Sequence, residues 1–393
     1  MHKIERLLQT LAPKGVEFRK LGEVCEILDN RRIPIAKNKR NPGIYPYYGA
    51  NGIQDYIDSY IFDGDFVLVG EDGSVINKDN TPVVNWASGK IWVNNHAHVL
   101  QTKNELKLKF LYFYLQTIDV SYCVAGTPPK INQENLKKIT IPIPPLEIQQ
   151  EIVKILDAFT ELNTELNTEL KARKKQYEYY QNMLLDFKDA NQNHKDAKMS
   201  AKTYPKRLKT LLQTLAPKGV EFRKLGEVCD FQKGKSITKK AVTFGKVPVI
   251  SGGRQPAYYH NEANRSGETI AISSSGVYAG YVSYWDIPVF LADSFSVSPK
   301  QKTLMPKYLF HYLTTQQDAI HATKSTGGIP HVYSKDLQNF LIPIPPLEIQ
   351  QEIVKILDAF TELNTELNTE LKARKKQYEY YREKLLAFKP LKA

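Results

Sequence analysis

IPIPPLEIQQEIVKILDAFTELNTELNTELKARKKQYEYY occupies residues 141–180, and the same forty letters return without a change at residues 342–381. Pro142, Pro144 and Pro145 stop a strand and open a helix, because a proline in the first helical turn lacks only an N–H that would have no intrahelical partner anyway. From Leu146 to about Phe187 the chain has neither Pro nor Gly. Apolar side chains fall at Ile152, Ile155, Phe159, Leu162, Leu166, Leu170, Tyr177, Tyr180, Leu184 and Phe187, mostly three or four residues apart. That is the seam of a long amphipathic, coiled-coil-like helix. At about 1.5 Å per residue, forty residues make a rod of roughly 60 Å. TELNTELNTEL, at 160–170 and 361–371, is a four-residue repeat inside the rod. Each unit adds about 6 Å and turns the seam by roughly 40°, as a spacer would whose copy number sets a distance.

Outward from the rods, a second block repeats: LLQTLAPKGVEFRKLGEVC at 7–25 returns at 211–229. The chain is therefore two tandem units, each a head block, a variable region and a rod, and a repeat of this size decides the architecture. The boundaries read as a head helix plus variable domain over 1–140, a first rod over 141–188, a polar linker over 189–206, a second head helix and variable domain over 207–341, and a second rod over 342–393. Each rod must cover its apolar seam, and the other rod is the natural partner. Antiparallel packing about a pseudo-twofold axis would put the variable regions at opposite ends.

Those variable regions, 26–140 and 230–341, have diverged. Runs such as YIFDGDFVLVG, KIWVNNHAHVL, ETIAISSSG and IPVFLADSFSV are strand-like by residue type and turn punctuation. LKFLYFYLQTI at 108–118 and PKYLFHYLTTQ at 306–316 read as helices, so each region is an α+β domain. Landmarks nevertheless correspond: YPYYGANG (45–52) with VPVISGGR (247–254), VGEDGSV (69–75) with SSSGVYAG (273–280), NNHAHVL (94–100) with ADSFSVS (292–298), and AGTPPKI (125–131) with TGGIPHV (326–332). A shared scaffold with altered loop chemistry is expected where loops carry specificity.

Fifty-four Lys and Arg against 42 Asp and Glu give a net charge of +12, a balance that favours polyanionic partners. No apolar run approaches the roughly 20 residues of a membrane helix, and the first residues, MHKIERLLQTLAPKG, lack a signal-peptide apolar core. The expected setting is the cytoplasm, with no membrane partner. Cys25, Cys123 and Cys229 have no CxxC or Cys/His ligand spacing, which argues against structural zinc.

The motifs of catalysis fail one by one. Gly234-Lys235-Ser236 ends like a phosphate-binding loop, but Cys229 stands where the leading glycine belongs. No GxGxxG follows a strand, no GxSxG or HExxH occurs, and AGTPPKI lacks the Asn/Asp-Pro-Pro-Tyr/Phe pattern of amino-methyltransferases. His96 and His98 could share a strand face and hold a metal, but unit two is expected to carry Ser294 and Ser296 there, so polar loop contacts are the preferred reading. Nucleic acid fits better. Arg31, Arg32, Lys37, Lys39 and Arg40 in the first unit, and Lys233, Lys235, Lys239 and Lys240 in the second, would neutralise phosphates; a solvated charged loop is the competing reading. Base readout needs paired donors and acceptors. The candidates are Tyr47, Tyr48, Asn51, Asn94, Asn95, His96 and Lys130 in the first unit, and Arg254, Gln255, Ser274, Tyr278, His331 and Tyr333 in the second.

The duplicated domain-plus-helix unit, the IPIPPLEIQQEIVKIL opening, the TELN repeats and loops such as PYYGANG and GGIPHVY resemble the specificity subunit of a type I restriction-modification system over essentially the whole chain. The resemblance implies two target recognition domains, each reading one half of a bipartite double-stranded DNA site in the major groove, and two antiparallel spacer helices that dock modification subunits. It places S-adenosylmethionine on the modification subunits, and ATP and Mg with the restriction subunits that complete the endonuclease. It implies that this chain binds no cofactor and catalyses nothing. A stand-alone bivalent DNA-binding protein is the alternative, and an enzyme with an unrecognised site a third.

Overall fold

The computed structural model describes residues 2–73, 75–187, 204–300, 302–325 and 328–391. Apart from 204–206, the expected linker lies outside the described residues. The chain forms two compact units: unit 1 is residues 1–167 with 369–393, and unit 2 is residues 168–368.

Unit 1 opens with the helix His2–Leu11, followed by β1 (Glu17–Lys20) and β2 (Cys25–Ile27). Then come β3 (Pro42–Gly49), β4 (Gly52–Ile57), β5 (Phe62–Gly70), β6 (Val84–Val93) and β7 (Ala97–Thr102), the helix Leu108–Leu115, the short helix Gln133–Lys138, and β8 (Thr140–Ile143). The six-stranded sheet has the order β2-β7-β5-β6-β3-β4, and β1 pairs with β8 alone. Along β5 the side chains alternate. Val67 and Val69 pack with Phe110 and Leu111 of the helix Leu108–Leu115, while Phe66 and Leu68 join Tyr48, Ile91, Val93 and Val99. Nearly all of the second cluster comes from the sheet itself, with Leu28 and Ile61 packed against it and the Arg31 guanidinium over Phe62. The period-two alternation of a strand thus supplies two cores.

The first long helix, Leu146–Leu185, begins in unit 1, and the second, Leu347–Leu386, ends there. Ile148, Ile152 and Leu156 share a core with Leu385 and Leu386, and Phe159 stacks on Tyr381 at 5.5 Å. Numbers rise along one segment as they fall along the other, so within this unit the two run in opposite directions. The seating of the helix start is polar. Gln149 is fully buried; its amide donates to Glu105 O (2.9 Å) and Pro144 O (2.7 Å) and accepts from Lys107 N–H (2.8 Å). A buried amide with its groups paired costs little to desolvate and fixes one geometry. Beyond the second helix, Val16 N–H donates to Lys389 O and Leu391 N–H to Val16 O. Gly15, at φ +110°, makes the approach possible, because a Cβ there would lie 2.6 Å from Pro390 O.

Unit 2 repeats the plan. After the helix Lys206–Leu215 come β9 (Phe222–Lys224), β10 (Cys229–Lys233), β11 (Val247–Ile250), β12 (Tyr258–His260), β13 (Thr269–Ser273), β14 (Val282–Trp285), β15 (Phe290–Leu291) and β16 (Ser294–Pro299). The helix Pro306–Thr315 and β17 (Leu341–Pro343) lead into the second long helix. The sheets are β10-β16-β13-β14, β12-β11-β15 and β17-β9. Ile270 and Ile272 of β13 face the main core, and Ala271 faces Ile250 and Leu291. Gln350 repeats the clamp of Gln149, donating to Thr303 O and Pro345 O and accepting from Met305 N–H. Tyr180 stacks on Phe360 at 5.2 Å. Among the described residues no helix is long and apolar enough to cross a membrane.

Candidate nucleic-acid interface

In unit 1, β5 ends beside the start of β7, and the loop that leaves β5 and the turn that enters β7 meet the segment before Gln133. Glu71 N–H donates to His96 O, Ile131 N–H donates to Glu71 O, and Asp72 bridges Lys130. Under this rim lies a compact charge network. The Glu71 carboxylate takes Arg32 Nη1 at 2.5 Å on one oxygen and Lys130 Nζ at 3.0 Å on the other. Asp29 takes Arg32 at 3.4 Å and His98 Nδ1 at 2.6 Å, and His98 Nε2 contacts Ile131 O at 2.8 Å. Burial would raise both carboxyls. For Asp29 the bond from His98 and the charges of His98 and Arg32 outweigh it, and for Glu71 the bonds from Arg32 and Lys130 do; both end below the ordinary carboxylate range. Asp29, Glu71 and His98 have ligand-type atoms within 4.8 Å of one another. Arg32 and Lys130 already neutralise those carboxylates, so the cluster is built as an ion-pair network that fixes the loops. Above it, the exposed His96 ring bonds Asp72 through Nδ1.

Unit 2 has the same backbone plan with other side chains. Ser274 N–H donates to Asp293 O, Val332 N–H to Ser274 O, and Ser275 bridges His331. The charge network is replaced by a pocket of ≈ 400 Å³ whose walls include Lys233, Ser274, Asp293, His331, Tyr333 and Lys335. His331 and Tyr333 stack at 6.0 Å, and the Arg254 guanidinium lies 4.8 Å from the Tyr278 ring.

The structure sorts the sequence candidates. Lys233, Ser274, His331 and Tyr333 converge on one pocket; Lys235 anchors its rim through an N–H to Leu291 O. Arg254, Gln255 and Tyr278 are exposed. In unit 1, Arg31, Lys37, Lys39, Asn51, Asn95, His96 and Lys130 are exposed. Five others are placed differently from the expectation. Tyr47 is 1% exposed, its hydroxyl bonding Ile35 N–H and its ring carrying the Arg40 guanidinium at 4.1 Å. Tyr48 is buried in the sheet core. Asn94 is 3% exposed, and its side-chain oxygen accepts from His96 N–H as a turn former. Arg32 and Arg40 are tied to Glu71 and Asp55. Tyr47 and Tyr48 are adjacent on β3 and both are covered, with a register shift between them, while Arg32, Arg40 and Asn94 lie between strands, where a partner holds each of them; the sequence alone does not show these partners.

One correspondence is corrected by a residue. Val69 pairs with His98 and Ile272 with Phe295, so His98 matches Phe295 and not Ser296. His96 matches Asp293 and not Ser294, because the turn after β6 is one residue longer than the turn after β15. Glu71 likewise matches Ser274. Sequence reasoning missed Glu71, Asp72 and Asp293, since a search for phosphate-binding cations passes over acids. The adjacent Glu-Asp beside a glycine in VGEDG was the signal available.

Comparison with known proteins adds an independent line. The family model described as the type I restriction modification DNA specificity domain matches residues 13–175 and again 217–375. The chain is 36% identical over 402 residues to a putative type I restriction enzyme specificity subunit of Haemophilus influenzae, covering 98% of each chain. It is 28% identical over 426 residues to a type I restriction enzyme specificity subunit of Escherichia coli, covering 99% of this chain and 97% of that one. Among solved structures, the type I restriction-modification S subunit from M. genitalium superposes with a TM-score of 0.70 at 20% identity, covering 95% of this chain and 96% of that one. That likeness concerns the fold.

Proposed function

Because the chain belongs to the type I restriction-modification DNA specificity family, we propose that it selects the DNA site for a methyltransferase and restriction complex. Unit 1 reads one half of a split target and unit 2 the other, while the long helices set the gap between them and dock the modification subunits. One observation carries the reading. The same ladder of backbone bonds, Asp72 to Lys130 in one unit and Ser275 to His331 in the other, presents charged side chains in the first and hydroxyl and aromatic ones in the second. Two loops held alike and chemically unlike suit two different base sequences. Exposed Lys37, Lys39, Lys239 and Lys240 supply phosphate contacts that position the duplex without reading it. The chain itself is non-catalytic. S-adenosylmethionine belongs to the modification subunits, and ATP with Mg²⁺ to the restriction subunits.

Methylation-site mapping tests this. DNA is taken from cells expressing the chain with its cognate modification subunit, and from cells lacking either. A split motif with a fixed gap, methylated only when both are present, is the expected result. Unmethylated DNA, with the purified chain alone binding a defined site, would replace this reading by that of a free-standing bivalent DNA-binding protein.

A further inference from the structure

The tip of the recognition face in unit 2 carries an apolar feature that the corresponding residues of unit 1 do not repeat. Ser275 pairs with His331 in an antiparallel bridge, and Gly276 N–H donates to Pro330 O at 3.0 Å. The next residues outward are Val277, where the chain turns (Ala279 N–H donates to Gly276 O), and Ile329. Both are aliphatic and both stand in solvent, 81% and 67% exposed. The tip is held in place: Lys324 Nζ donates to Val277 O at 3.4 Å, and the next residue, Tyr278, lies against Arg254. In unit 1 the matching pair is Asp72 and Lys130, and Gly73 N–H donates to Pro129 O; the next residues in sequence are Pro128 and Ser74, the latter outside the described residues.

We propose that Val277 and Ile329 form an aliphatic clamp that reads the C5-methyl group of thymine in the half-site bound by unit 2; this rests on the function proposed above. Two exposed aliphatic side chains are unfavourable in water, yet here Lys324 reaches Val277 O, Arg254 lies over the neighbouring Tyr278, and Lys233 and Lys335 line the pocket shared by Ser275 and His331, cations complementary to phosphate. Among the base edges of the major groove, the thymine methyl is the apolar one, and it is met by small aliphatic contacts. Wedges that part base steps are residues such as Phe, Leu, Ile and Met; Val277 is too short for that task, and for Ile329 the wedge is an outcome of the test below. Ser275 and His331 at the root of the clamp offer hydrogen-bonding groups for the neighbouring polar edges.

The test uses the full chain in complex with its cognate modification subunit. The probe is a duplex bearing the split site found by methylation mapping, with each thymine replaced in turn by deoxyuridine, which removes only the methyl. At a clamped thymine Kd should rise about fourfold, the factor to which ~0.8 kcal/mol per buried methyl-sized group converts. The double variant Val277→Ser, Ile329→Ser should bind the thymine duplex as weakly as the wild-type complex binds the uracil one, and should no longer distinguish them. Both residues are exposed, and an unchanged melting curve verifies the fold. A complex that binds the split site tightly but is indifferent to every substitution overturns the clamp and leaves the proposed function standing. So does a unit 2 half-site without an A·T pair, or a methyl preference that survives in the double variant. Loss of affinity in the variant without any methyl preference in the wild type overturns it in favour of a base-step wedge. If the complex binds no split site, the clamp and the proposed function fall together.

Discussion

Glu71 is the residue on which the loops of unit 1 depend most, since its two oxygens hold Arg32 and Lys130 from different parts of the chain. Glu71→Ala leaves Arg32 with Asp29 and backbone carbonyls and takes the carboxylate from the half-exposed Lys130, and should cost about 3 kcal/mol, the low end of the range for stripping one partner from a buried pair; hydrogen exchange across residues 29–32 and 128–131 would register it as lost protection. Acid should have a related effect. Asp29 and Glu71 have folded values below their ordinary 3.8 and 4.5. The folded state therefore binds fewer protons, and the stabilisation is complete above those values and fades as pH falls below them. His311 in unit 2 behaves differently. Burial lowers it from 6.5, more than the bond to Asp358 raises it, and the Lys307 charge adds to the lowering; Tyr177 closes the other ring nitrogen at 3.4 Å. The folded state again holds fewer protons, so unit 2 should lose stability as pH drops below about 6.5. At the equivalent position unit 1 has Phe113, buried in its core. His311→Phe should flatten that dependence, as read by amide exchange in unit 2 at pH 7.5 and 5.5; an unchanged slope would refute the assignment. At this scale the sequence was least legible. Lys233, His331 and Tyr333 could be named in advance because their types suit DNA. Tyr47 and Arg32 look the same as letters, and only the Ile35 N–H and Arg40 guanidinium on Tyr47 and the Glu71 carboxylate on Arg32 hold them inward.

Elements were far more legible, because the helical period repeats over many turns. The first long helix was expected from Leu146 to about Phe187 and spans Leu146–Leu185; the helices near 108 and 306 end at Leu115 and Thr315, within a few residues of their expected ends. What periodicity could not disclose is how each rod attaches to its domain, since that depends on one polar residue in an apolar seam. Gln149 and Gln350 lie in the block that repeats without change, and each makes the same three bonds. Gln149→Leu should leave the Lys107 N–H and two carbonyls unpaired, at about 1–3 kcal/mol for each group that water cannot reach. Gln350→Leu should do the same in unit 2, and a urea titration of the two variants would show comparable midpoint losses. If Gln149→Leu were neutral, the clamp would be incidental to the seating.

For the whole molecule, the spacer reading makes a quantitative demand. One extra TELN in each long helix adds about 6 Å of rise against about 3.4 Å per base pair. The gap in the methylated motif should then widen by about one or two base pairs while both half-sites stay the same. A motif with altered half-sites would show that the repeats do more than measure. The two units also differ in how the polypeptide assembles them. Unit 2 is one continuous stretch, whereas unit 1 joins residues 1–167 to 369–393 and closes where Lys389 and Leu391 bond Val16. A ribosome delivers these parts in order, at about 5–20 residues per second, so the apolar faces of Ile148, Ile152 and Leu156 wait for Leu385 and Leu386 for roughly ten seconds to most of a minute. During that interval unit 2 can complete its own fold, while unit 1 remains an open client for chaperones and a target for proteases. Translation that stalls in the second long helix would therefore leave the earlier-made unit as the unfinished one.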